Sequence, residues 1–285
     1  MFLFKHLHSI ISIKNLKYNK MKFQLKSIVA VVAITLAFVS CSKDEEEVIS
    51  GNGNLKLEYD NVYGGANFAF ATEYTNSNGE KVKASQLKYI VSNIVLTKED
   101  GSTFTYPKSS SYFIVDEATA ASQILNLTNV PAGNYTKVKF GIGVDRAQWE
   151  LGATGQGDFL ATAQSAGMMW SWTGGYKFVN FEGTVTSTTL TTPRNYRVHT
   201  GKTMVNNVEN YNYAEVTITL PTTAKVRTTI TPQIHILADA KNIVDGDNKI
   251  ALTAGTSGDV MGGDRLALVT ANLSKMFTVD HVHND

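Results

Sequence analysis

Apolar and polar residues alternate through Leu55-Lys56-Leu57-Glu58-Tyr59, the period-two signature of a strand with one buried face. The same reading predicts strands at Leu87–Leu96, Tyr112–Val115, Ile124–Leu127, Tyr135–Val144, Tyr176–Glu182, Tyr196–His199, Ala214–Leu220 and Ile230–Leu237. Turn signals separate them, among them Asn78-Gly79, Asp100-Gly101, Pro131-Ala132-Gly133-Asn134, Gly174-Gly175 and Asp245-Gly246. Many short strands at this spacing predict an all-β fold: a single antiparallel β-sandwich or barrel-like domain. Helical spacing is confined to two places, so one or two short helices are expected. Ala238–Val244 is one, ended by Gly246. Asp264–Phe277 is the other, where Leu266, Val269, Leu273 and Met276 share a face and Asp264 stands ready to cap.

The N-terminal region has a different pattern. Ile28 to Val39 is almost wholly apolar but too short to span a bilayer, which takes about 20 residues. Lys22 and Lys26 precede it and Ser40-Cys41 follows, the layout of a secretory signal. Met21 is the expected start, which makes residues 1–20 an upstream over-call and residues 21–40 the signal peptide. Phe38-Val39-Ser40-Cys41 resembles a bacterial lipobox, with Phe38 in place of the usual Leu. It predicts lipidation at Cys41 and a membrane anchor. Ser42-Lys43-Asp44-Glu45-Glu46-Glu47 resembles the acidic export tag of Bacteroidetes surface lipoproteins. Residues 41–53 are therefore expected to be a disordered acidic tether and residues 54–285 the β domain. The expected location is the cell envelope, on the outer membrane and exposed at its surface.

Composition narrows the function. A formal net charge of +1 argues against a nucleic-acid partner. One cysteine in the chain excludes an intrachain disulfide and a cysteine-based zinc site. No paired helical histidines with a glutamate, no nucleophile elbow and no complete phosphate loop occur, so the chain is not expected to be an enzyme. Gly141-Ile142-Gly143 lacks the rest of a dinucleotide fingerprint and reads as strand.

Four histidines follow the signal region: His199, His235, His281 and His283. His281 and His283 lie two apart, so both rings share a side if the segment is extended, and two imidazoles on one side can share a metal. A flexible tail with exposed histidines is the plainer alternative. His235 sits among apolar residues, and His199 ends a strand before Thr200-Gly201. The densest unusual stretch is Gly167-Met168-Met169-Trp170-Ser171-Trp172-Thr173-Gly174-Gly175-Tyr176. If it is extended, Trp170 and Trp172 point the same way, either into the core or towards a pocket. Imidazole, thioether and aromatic groups together suit copper.

These blocks resemble the MbnP-like copper-binding family, β proteins of the periplasm or membrane associated with copper and methanobactin handling. The resemblance rests on Leu87–Ile94, Ser111–Asp116, Val130–Tyr135, Phe140–Asp145, Gly167–Trp172, Gly175–Phe178, Glu182-Gly183, His199, and the closing Met276-Phe277 and Asp280–Asn284. It implies copper binding without turnover. It also implies an MbnH-like di-haem partner that oxidises a tryptophan near the metal to kynurenine. Trp170 or Trp172 is then the candidate for oxidation, with Met168 close by. His199, His281 and His283 become the candidate ligands, with His235 a further one. The family often has a histidine before a hydrophobic residue and Gly-Gly in the first strand. Here Asn61 stands at that place, and an amide is the poorer copper ligand. Two other readings remain: a surface module stacking glycans or proteins on Trp149, Trp170 and Tyr176, and a metal-dependent hydrolase, for which no carboxylate is pinned down.

Overall fold

A computed structural model describes residues 49–285, so the expected signal peptide, Cys41 and the tether as far as residue 48 lie outside the described residues. Two sheets carry the domain. The first runs β14 (Phe277–His283), β13 (Gln233–Asp239), β1 (Asn52–Tyr63) and β2 (Ala66–Asn67), with β7 (Ile124–Pro131) also paired to β1. The second runs β11 (Val208–Tyr211), β10 (Arg194–Val205), β9 (Lys177–Thr186), β4 (Lys81–Lys98), β8 (Gly133–Ile142) and β12 (Ala214–Val226). Three short strands, β3 (Glu73–Thr75), β5 (Thr103–Thr105) and β6 (Tyr112–Asp116), also pair with β4. Most pairs are antiparallel, as the pattern predicts, but β1 and β13 run parallel, from Lys56 opposite Gln233 to Val62 opposite Asp239. Most of the chain separates these two strands, so no hairpin turn dictates their relative direction.

Alternation places the core. Leu55, Leu57 and Tyr59 of β1 are fully buried, while the alternating Lys56, Glu58 and Asp60 are only half-buried. Ile234 and Ile236 on β13, and Tyr196 and Val198 on β10, turn inward in the same way. The two sheets meet through aromatic edges. Phe277 of β14 lies 6.1 Å from Tyr59, 5.7 Å from Tyr89 of β4 and 5.2 Å from Phe140 of β8, ring centre to ring centre. Such edge-to-face contacts add to the burial of the rings themselves. Along one seam Asn284 replaces a strand ladder. Its Oδ1 accepts from the Lys225 N–H of β12, and its Nδ2 donates to the Thr223 carbonyl.

The boundaries and helices differ from expectation in instructive ways. β1 begins at Asn52, inside the span expected to be tether, because Gly53 slips past the Arg227 carbonyl where a Cβ would lie 2.1 Å from that oxygen. The glycine-containing stretch after Val144 forms three short helical pieces, Arg146–Trp149, Gly152–Gly155 and Asp158–Ser165. Asp145 starts them by accepting the Gln148 N–H. Burial alone would raise the Asp145 carboxyl pKa. Hydrogen bonds from Asn93, Lys108 and Tyr112 outweigh this and hold it at about 2. The insert covers a second apolar cluster on the outer face of the nine-stranded sheet, built on Ile90, Val144, Ala163, Met168, Tyr176 and Phe178. The helix expected at Asp264–Phe277 is Asp264–Leu273, and its N-cap is Gly263 rather than Asp264. The helix expected at Ala238–Val244 is Lys241–Asp245. Among the described residues no helix is long and apolar enough to cross a membrane.

Phe277→Ala removes the ring that touches three strands of both sheets. It is expected to destabilise the domain by about 3–5 kcal/mol, read as a lower urea midpoint at unchanged slope.

Candidate metal centre

Three of the four histidines converge on the outward face of the five-stranded sheet. His235 of β13 stands directly opposite His281 of β14. Regular alternation would turn Asp280 away from them. The register slips between His235 and Ile236: His235 faces His281, while Ile236 faces Val279. Asp280 is therefore the extra residue of a β-bulge, and a bulge re-aims side chains out of strict alternation. The His281 and His235 ring centres are 4.7 Å apart, and those of His281 and His283 are 4.5 Å apart. Asp280 Oδ2 accepts from His281 Nδ1 at 2.7 Å and lies 3.5 Å from His235 Nδ1. On the neighbouring strand, Asp60 Oδ2 lies 3.5 Å from His235 Nε2.

The donor chemistry fits a transition metal. His235, Asp280 and His281 each offer one donor atom, all within 4.8 Å of one another. With Asp280 holding the Nδ1 side of His281, the Nε2 of that ring faces His283 Nε2 at 2.8 Å. Two such nitrogens cannot both carry a proton at that distance, so at least one lone pair points into the gap. A first-row ion with bonds of about 2.0–2.1 Å sets neighbouring imidazole nitrogens about 2.9–3.3 Å apart. His235 Nδ1 is buried and has no hydrogen-bond partner. Its Asp60 neighbour resembles the outer-shell carboxylates that orient metal-binding imidazoles. The nearby His281 draws the Asp280 carboxyl below the usual carboxylate range.

His199 does not join this group. Tyr196 and Val198 of β10 face the core, so His199 faces outward from the other sheet, and the core lies between it and the three histidines. The resemblance made His199 a candidate ligand together with the other three, but alternation in two separate sheets sets it apart from them. His199 is 3% exposed, and its Nε2 meets Glu182 Oε1 at 2.8 Å. Burial lowers its pKa, against the opposing pull of Glu182. Its Nδ1 is buried without a partner.

The two tryptophans also part company. The segment between them is a turn rather than a strand: Met169 bridges to Tyr176, and the Gly175 N–H bonds the Ser171 carbonyl at 2.7 Å. Trp170 reaches His199, with ring centres 6.0 Å apart. It packs against Gly201, where a Cβ would meet the Trp170 ring at 2.9 Å. Trp172 stacks on Trp149 at 4.3 Å. The indoles are 38% and 39% exposed, so neither is buried in the core. Met168 is fully buried in the second apolar cluster under the helical insert and takes no place among the three histidines. Asn61 is committed elsewhere, donating to Glu117 Oε2 and accepting from the Tyr89 hydroxyl.

Sequence reading missed Asp280, Asp60 and Glu182 as partners of the imidazoles. One signal for the bulge was present. Apolar residues fall at Phe277 and Val279 and then at Val282, a change of phase that an unbroken strand would not make.

The His199 pKa carries a sign. A histidine held neutral by burial lets the unfolded chain bind the extra proton below its ordinary value of 6.5, so stability is full above that value and falls as the pH drops through it. In metal-free protein, His199→Gln is expected to flatten the loss of denaturant stability between about pH 7.5 and 5.5 relative to wild type. Parallel curves for the two proteins would contradict this.

The chain can now be set beside known proteins. No curated protein matches it. A solved structure, MbnP from Methylosinus trichosporium, is 13% identical over 74% of this chain and 81% of that one, with a TM-score of 0.43. The sequence profile of the MbnP family matches residues 52–261, which takes in β1 to β13, His199, His235 and both tryptophans but stops short of β14. With a match running from the first described strand through twelve more, the chain belongs to the MbnP family.

Proposed function

We propose that this protein is a copper-binding lipoprotein of the cell envelope that takes up, stores or delivers the metal in a methanobactin-related role. One observation carries the reading: the bulge at Asp280 brings that carboxylate between His235 and His281, with His283 on the other side of the His281 ring on the same sheet face. Imidazole is a strong copper donor, and copper stands highest in the affinity order of the first-row divalent ions. Family membership supports the same reading. Lipid at Cys41 would hold the domain to the outer membrane.

His199 and Trp170 form a second, separate element of the proposal. An MbnH-like di-haem partner would oxidise Trp170 rather than Trp172. Trp170 offers an open indole beside the unpartnered His199 Nδ1, whereas Trp172 is engaged by Trp149. The exposed faces of Trp170 and Trp172 favour one alternative, a glycan- or protein-stacking surface without metal.

Copper titration separates the readings. In the His281→Ala/His283→Ala protein, affinity is expected to fall about a hundredfold or more, while Trp172→Ala leaves it unchanged. Equal copper affinity in wild type and the double variant would remove the three-histidine centre from the function. Intact mass of the native protein would report the acyl chains on Cys41 and oxidation of Trp170.

A further inference from the structure

We infer that a groove on the outer face of the nine-stranded sheet binds a carboxylated sugar chain and that Arg194 holds one of its carboxylates. The groove and the three histidines lie on different outer surfaces, so this site stands whether or not the histidines hold copper.

The groove has a volume of about 790 Å³, within the range of ligand sites. Arg194 is its anchor. The Arg194 Nη1 donates to the Thr253 and Gly255 carbonyls, both at 3.1 Å, so the half-buried guanidinium is fixed in place. Among the described residues no carboxylate pairs with it, and its Nε and Nη2 have no partner. That unspent edge is the planar fork that grips a carboxylate with two parallel bonds. A guanidinium already held still loses little freedom on binding. Glu182 and Asp259 also line the groove. Their charges oppose a doubly charged phosphate more than a singly charged carboxylate.

The floor of the groove suits hydroxyl groups. Thr184 of β9 stands opposite Lys83 of β4 on one side and Asn195 of β10 on the other. Neither the Thr184 hydroxyl nor the Asn195 amide has a hydrogen-bond partner among the described residues. Each can donate and accept, as a sugar hydroxyl does. Strands lie about 4.8 Å apart, so this row spans about 10 Å, long enough for more than one sugar ring. Lys83 ends the row with a second cation, because it shares the single carboxylate of Glu73 with Lys81. An extended peptide is less well served. It would need a bare strand edge, and that edge of β10 is taken by Val260, which accepts from the His199 N–H and donates to the Arg197 carbonyl. The apolar lining is limited to Ala71, Ala84 and Tyr196, too little to seat peptide side chains.

The test is calorimetric titration of the purified protein with trigalacturonate, with the neutral maltotriose and with triglutamate. Trigalacturonate is expected to bind about tenfold more tightly than either, and to weaken as salt rises. Arg194→Lys keeps the charge but lacks the fork, and is expected to lose about tenfold or more of that affinity. Circular dichroism confirms that the variant is folded. A second measurement needs no variant: in isotope-labelled wild-type protein the Arg194 Nε–H resonance should move on saturation with trigalacturonate, while the Trp172 indole N–H stays in place. The His281→Ala/His283→Ala protein should bind the sugar as wild type does, which keeps this outcome apart from that of the copper titration. No binding of trigalacturonate, equal binding of maltotriose or triglutamate, unchanged affinity in Arg194→Lys, or an unmoved Arg194 resonance overturns the inference.

Discussion

Phe277, Tyr59, Tyr89 and Phe140 bring four strands from two sheets onto one set of aromatic edges, and that contact sets which way their neighbours on these strands face. Once these rings face inward, the period of two sends their neighbours outward. Thr278, next to Phe277, lies exposed, and Glu58 and Asp60, on either side of Tyr59, take the outer face. On β10 the inward Val198 fixes His199 outward in the same manner. The chemistry of the protein thus lies on two outer surfaces separated by the core that determines their direction.

That separation explains why polar groups of similar type have different surroundings. His199 is nearly sealed by the Trp170 loop and Glu182, and burial sets its protonation. The three clustered histidines sit on an open face where carboxylates and one another are their main neighbours. A groove of about 790 Å³ also opens beside Glu182, where Arg197 pairs with Asp259 and Arg194 donates to the Thr253 and Gly255 carbonyls. Between the two surfaces, Asn61 spends its amide on Glu117 and Tyr89. It contributes to the inner packing of β1 rather than to either surface.

The strands were legible wherever apolar and polar residues alternated regularly. Leu55 to Tyr59 and Ala214 to Leu220 were read correctly for that reason. β14 was less legible because its phase changes at Asp280 and its outward residues are histidines, which alternation alone cannot distinguish from a tail. The three short helices after Val144 were hidden by glycines, and only the capping bond from Asp145 and the cover they give to Tyr176 and Phe178 account for them. The family blocks named candidate residues but could not say which of them meet. Meeting is decided by sheet membership, and strands so far apart in sequence leave no local trace of it.

Asn284 has a consequence for the protein among many copies of itself. β14 pairs with β13 on one side only, so its other side would present bare peptide groups to any passing chain. By accepting from Lys225 and donating to Thr223, the Asn284 amide occupies backbone groups of the adjoining β12 in the way another strand would. A second copy of the chain is therefore offered less open sheet margin on which to stack, which favours separate protomers over fibres.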